Sequence, residues 1–243
     1  MHDRTARKYF TEVVLPAYFS FVDGYANREI GLSRDTERVS RLADSLLNLP
    51  EYVFAESASI SRKHRSKKAY RKSVWLKCPD YELCCDIAIA WKHGAISRQG
   101  RRLTGPKDIV ECIAIVRNED DEGIYTWSRK VVELRLAPDD VREVSPVLRN
   151  ALLFWCNELI RIGTIPQMPS LPILFPALLT RDDLRGSGKM RILAHKLEKF
   201  SNQFKAYAYA PETDTISPAD GQSVGVNAVV ECEMTVLESP YDL

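Results

Sequence analysis

DIVECIAIVRNEDDEGIYTWSRKVVELRL, residues 108–136, breaks the period of the chain around it. Upstream and downstream, apolar residues recur at three- and four-residue spacing, as on one face of a helix. Within this stretch, β-branched and aromatic residues crowd into two runs separated by NEDDEG, residues 118–123, a turn former. The pattern predicts a β-hairpin over about 108–136 set into a mainly helical body, an α+β fold.

On the N-terminal side, Phe10, Val13, Val14, Ala17 and Phe21 predict an amphipathic helix that Pro16 kinks or breaks. Val39, Leu42, Ala43, Leu46 and Leu47 form a second apolar stripe, with Ser33 placed to cap it and Pro50 to stop it. EYVFAESA, 51–58, continues as a short helix, and the basic run after it is either helical or disordered. CPDYELCCDIAIAWKHG, 78–94, is the best-punctuated helix. Pro79 fits its first position, Asp80 and Glu82 suit the positive end of the dipole, and Lys92, His93 and Gly94 suit the other end.

After the hairpin, Leu148, Leu152, Trp155, Leu159 and Ile162 define another helix, begun near Ser145 and Pro146 and ended at Gly163. Pro166, Pro169, Pro172 and Pro176 make 164–187 an extended crossover laid over the body. GKMRILAHKLEKFSNQFK, 188–205, reads as a basic helix. From Val224 to Val236 every even-numbered residue is apolar, which predicts a half-buried strand with QFKAYAYA, 203–210, as its antiparallel neighbour. The expected domains are a helical one at 1–163 and a small α/β element at 188–243. If the last strand pairs with the hairpin instead, the chain is a single domain.

The longest apolar runs, such as ALLFWC, fall far short of the roughly 20 residues a membrane-crossing helix needs, and MHDRTARKYF lacks the apolar core of a signal peptide. The expected location is the cytoplasm, with no membrane partner. Cys78, Cys84, Cys85, Cys112, Cys156 and Cys232 follow no disulfide framework and read as reduced, buried thiols.

Recognisable chemistries can be screened one by one. GSGKM, 186–190, lacks the leading glycine of a phosphate loop, where Asp183 stands, and Met190 replaces its Ser/Thr. His2, His64, His93 and His195 form no pair on one helix face, and no metal site or cofactor is expected. Asn118, Asp120, Glu122 and Gly123 imitate the start of a calcium loop, yet Arg129 stands where a bidentate acid is required. His93 with Cys84 or Cys85 would have to bridge roughly 12 Å of helix. His93 therefore reads first as a cation at a helix end and second as a catalytic candidate. No Asp/Glu-x-Lys strand follows Pro79-Asp80, and Arg191 and His195 are too close together for the helical-ribonuclease signature.

Charge is the strongest remaining signal. The net charge of the chain is only +1, but residues 58–107 carry +10 and 206–243 carry −7. The centre of the basic region is RKHRSKKAYRK, 62–72. Arg62, Lys63, Arg65, Lys67, Lys68, Arg71 and Lys72 are interleaved with Tyr70 and followed by Trp75; Arg98, Arg101 and Arg102 add a second cluster up to Lys107. Cations at this density bind phosphates by releasing counterions, and aromatics among them stack on unpaired bases. The expected partners are nucleic acid or an acidic protein surface, including the chain's own acidic end.

LADSLLNLPEYVF and CPDYELCCDIAIAWKHG together resemble a diffuse group of uncharacterised bacterial helical proteins, over about residues 36–94. The resemblance implies a helical body with a β-hairpin and no particular activity. The favoured reading is a non-enzymatic binding or assembly protein of a bacterium or mobile element, an oligomer or complex subunit. The alternative is a nuclease or toxin-like effector.

Overall fold

A computed structural model describes residues 5–93, 102–137, 140–172, 180–184, 190–194, 203–210, 215–218 and 232–236. The hairpin forms as the sequence predicts. β2 (Ile109–Asp120) and β3 (Gly123–Ala137) pair antiparallel from Ile109↔Leu134 to Asp120↔Gly123. Asp121 and Glu122 make the two-residue loop, and Gly123 takes a φ of 104°, in the region that glycine occupies without strain.

The hairpin does not stand alone. β2 is buried along most of its length, so its second edge cannot be left facing water. β6 (Gln203–Ala210) covers that edge in parallel, Cys112↔Gln203 through Arg117↔Ala208. β4 (Asp140–Glu143) and β7 (Thr215–Pro218) complete a mixed five-stranded sheet in the order β4-β3-β2-β6-β7. QFKAYAYA therefore joins the hairpin rather than the C-terminal strand.

That last strand, β8 (Cys232–Val236), pairs in parallel with β5 (Met190–Ala194), which pairs in parallel with β1 (Glu29–Ile30). The expected helix over 188–205 is thus wrong at its start. Met190 and Ile192 are buried against Ile30 and Ile113, and Arg191 points outward to Glu29, a period of two that a helix would destroy. Residues 224–231 of the expected strand and 195–202 of the expected helix lie outside the described residues. Both sheets mix strands from before residue 163 and after residue 188.

The helical body is built on two prolines that do not act as breakers. The first helix runs as α1 (Ala6–Tyr9), a π-helical stretch (Phe10–Val14) and α2 (Leu15–Ala26), with Leu15 N–H bonded to Phe10 O. This widened turn sits immediately before Pro16, where the ring and the missing N–H disturb the ordinary ladder. α3 (Arg34–Glu56) passes straight through Pro50, contrary to the expected stop. The carbonyl that Pro50 cannot bond is that of Leu46, and the buried Tyr81 hydroxyl donates to it at 3.3 Å. Tyr81 comes from α6 (Pro79–His93) and meets Trp155 of α7 (Val144–Arg161) edge-on, with ring centroids 5.4 Å apart. Those rings, with Leu42, Leu46, Leu83, Ile87, Leu148 and Leu152, form the main core. After α7 the chain runs irregularly over this core as far as Pro172, whose carbonyl accepts from the Tyr18 hydroxyl at 3.2 Å; 173–179 lie outside the described residues.

Sheet and helices are joined by buried charge. Ser33 does not cap α3; it sits at φ 56° with no side-chain bond to the helix. Glu111 of β2 replaces it, with Oε1 accepting from the backbone N–H of Asp35 (3.0 Å) and Thr36 (2.9 Å). Lys130 of β3, 4% exposed, donates to Gly24 O (2.5 Å), Glu29 O (2.8 Å) and the Asp35 carboxylate (2.9 Å). Burial lowers the Lys130 pKa, and the Asp35 carboxylate opposes that shift.

Replacing Lys130 with Met leaves the Asp35 carboxylate buried with Arg38 as its remaining partner. We expect a loss of about 3 kcal/mol in urea unfolding. Adding Asp35→Asn recovers part of that loss, because the Asp35 charge is then no longer buried without its lysine. An unchanged midpoint in the single variant contradicts the latch.

Candidate functional site

The basic run folds as two short helices seated on the core. α4 (Ala58–Lys63) is capped by Ser57, which accepts from Ile60 N–H at 3.4 Å, and Ile60 is buried. His64 and Arg65 turn the chain. Ser66 then caps α5 (Lys67–Lys77), accepting from Ala69 N–H at 3.1 Å. The first turn of α5 holds Lys67 and Lys68 and no acid, so cations crowd the positive end of the helix dipole. That arrangement costs a few tenths of a kcal/mol.

The side chains divide by face. Arg62, Lys63, Arg65, Lys67, Lys68, Lys72 and Lys77 are exposed, and none forms an ion pair with another described residue. Arg71 is held by Glu51 at 2.9 Å. Tyr70, 2% exposed, is an anchor: it lies beside His64 (ring centroids 5.2 Å) and Phe54 (6.2 Å), and burial pushes its hydroxyl pKa well up. Trp75 is half-buried against the core, its indole beside the Cys85 thiol. Both aromatics that the sequence placed among the cations as stacking partners therefore face inward. The large exposed apolar side chain on the ridge is Leu76, at 80%.

The second cluster is only partly described. Arg98 and Arg101 lie outside the described residues. Arg102 is engaged twice: its N–H donates to the buried Asp86 carboxylate at 3.1 Å and its guanidinium to Asp140 at 3.1 Å. Lys107 is exposed. His93 is exposed in the last turn of α6, and no hydrogen bond or ion pair joins it to another described residue. Its neighbour Lys92 pairs with Asp44 at 2.5 Å.

Burial raises the thiol pKa of Cys85 to about 11 and those of Cys112 and Cys156 to about 12, so these sulfurs stay protonated near neutrality. Among the described residues no group of three or more His, Cys, Asp or Glu is arranged to hold a metal ion. The loop that imitates calcium ligation is tied down by Arg181, which bonds Asp120 at 2.8 Å and Gly123 O at 2.8 Å. Among the described residues no helix is long and apolar enough to cross a membrane.

Sequence reasoning missed a polar network on the sheet face away from the helices. Glu133, fully buried, accepts from Lys205 and from the Tyr207 hydroxyl, with the Cys112 thiol 4.0 Å from that hydroxyl. Arg129 pairs with Glu143 beside it. The alternation of residues 129, 131 and 133 marks a shared face, but nothing local announces the partners from β6. With its acid enclosed and neutralised, the network fastens β6 to β3 across the central strand. No family model, no curated protein and no solved structure matches the chain.

The ridge borders α7 at Glu158. Arg161 bonds this carboxylate through both oxygens, at 2.8 and 2.6 Å, and holds its pKa below the ordinary 4.5; Lys77 and Lys63 add to the effect. A depressed folded-state pKa means the contribution is present above the unfolded value and is lost as pH falls through the folded one. Arg161 is largely solvated, so the contribution is about 1 kcal/mol at most. Acid unfolding of Glu158→Gln is expected to lack this loss below about pH 4.5, measured by circular dichroism against the parent.

Proposed function

We propose that the chain is a nucleic-acid-binding protein that holds the phosphate backbone on the ridge formed by α4 and α5. The observation that carries this reading is a set of exposed, unpaired cations fixed on two capped helices, with no acid anywhere in residues 58–77. Cations so placed release counterions when phosphates approach, and this term dominates sequence-independent binding. The first turn of α5 adds its own positive potential.

An acidic protein partner fits the same charge less well. Stable protein interfaces bury about 800 Å² per partner around apolar or aromatic anchors and are depleted in lysine. This ridge is built mainly of lysines, and Leu76 is its one large exposed apolar side chain. Its two large aromatics are spent on the core.

The test is a binding series with a mixed-sequence nucleic acid over rising salt. Affinity is expected to fall linearly with log salt. Replacing Lys68 and Lys72 together with Gln should weaken binding and shallow the slope by about 0.7–0.9 per lysine. Lys8→Gln, remote in sequence and paired with Glu12, should change neither. Absence of binding at about 50 mM salt, or binding without a salt slope, would falsify the reading. So would tight capture of a protein from nuclease-treated lysate that Lys68 and Lys72 govern.

A further inference from the structure

We infer that the ridge selects double-stranded over single-stranded nucleic acid and grips it by the backbone alone. This deepens the phosphate-binding reading above and rests on it. Three features of the α4–α5 surface lead here.

The first is the direction of the aromatics. Proteins that prefer single strands gain about 1–3 kcal/mol per base by stacking bases on exposed rings. Tyr70 is 2% exposed and Trp75 is half-buried against the core, so the ridge presents its cations with no fully exposed large ring among them. What remains is electrostatic, and a duplex carries one charge per about 1.7 Å of axis, twice the density of one of its strands.

The second is rigidity. Ser57 and Ser66 cap the two helices, Ile60, Tyr70 and Val74 are buried beneath them, and Arg71 is tied to Glu51. Lys68 and Lys72, one helical turn apart, stand about 6 Å from each other along the axis. A fixed array of charges suits a stiff polyanion, whereas a flexible strand must lose conformational entropy to match it.

The third is the scarcity of base readers other than the cations themselves. Residues 58–77 contain no Asn or Gln to pair with adenine and no Asp or Glu to accept from cytosine. Of the arginines, which suit guanine, Arg62 turns its Nε to Ala58 O at 3.2 Å, Arg71 is held by Glu51, and Arg65 stands in the turn between the helices rather than on a helix face. Contacts from such a surface position the protein on a duplex without reading its sequence.

Fluorescence anisotropy with the full chain tests this directly. The probes are a 20-base-pair DNA duplex, an RNA duplex of the same sequence, a scrambled DNA duplex and each isolated strand, at about 50 and 150 mM salt. The expected result is at least tenfold tighter binding to a duplex than to either of its strands, unchanged by scrambling. The DNA and RNA arms show which backbone geometry is preferred. Equal or tighter binding of single strands overturns the inference while leaving phosphate binding intact; failure of every probe to bind removes both. Trp91, 38% exposed on α6, provides a second variant. Trp91→Ala is expected to leave single-strand affinity within about threefold, and a larger loss would reveal a stacking platform off the ridge and sink the backbone-only grip.

Discussion

The carboxylate of Glu111 lies where the two halves of the fold meet. It comes from the central strand of the large sheet and satisfies backbone N–H groups at the start of α3, the longest helix. Desolvation raises its pKa, the hydrogen bonds from Thr36 pull the other way, and the nearby Asp35 carboxylate adds to the rise. Lys130, on the neighbouring strand, answers that second carboxylate and also takes the carbonyls of Gly24 and Glu29. One buried cluster thereby sets the register of the hairpin against α2, β1 and α3 together. A buried ion pair adds little net stability over apolar packing, but its geometry rejects alternatives that leave a charge unmet.

Much of the helical body is legible in the sequence because amphipathic spacing is a local property. The stripes on α3 and α7, and the acidic first turn and basic last turn of α6, sit where the residue pattern places them. The errors share a cause: partners distant in sequence override local preference. Pro50 reads as a stop until Tyr81, thirty-one residues later, takes the carbonyl that the ring leaves unbonded. Met190–Ala194 reads as part of a helix until β1 and β8 offer it a slot between them. The parallel pairing of β6 with β2 has no local signature, since a strand's sequence records which face is buried and not which neighbour it has.

The candidate site follows the same division. Its cations are visible as composition, and folding leaves most of them exposed and unpaired. Arg71 and Arg102 are withdrawn by Glu51 and Asp140, and Tyr70 and Trp75 by the core. Composition cannot report the direction a ring faces on an amphipathic helix of mixed character. On α5 only Tyr70 and Val74 are fully buried, a spacing too sparse to stand out among lysines.

The inward aromatics also separate two properties that many binding surfaces mix. What holds α4 and α5 to the protein is mainly apolar packing, with the Arg71–Glu51 ion pair beside it. Apart from Lys63 and Lys77, which face Glu158 of α7, the outward cations add little to that attachment and repel one another. Their number and position can therefore drift without loosening the scaffold, and each one removed relieves some repulsion. Such a surface is evolutionarily tunable: grip strength can be raised or lowered one side chain at a time, on a body whose shape does not depend on it.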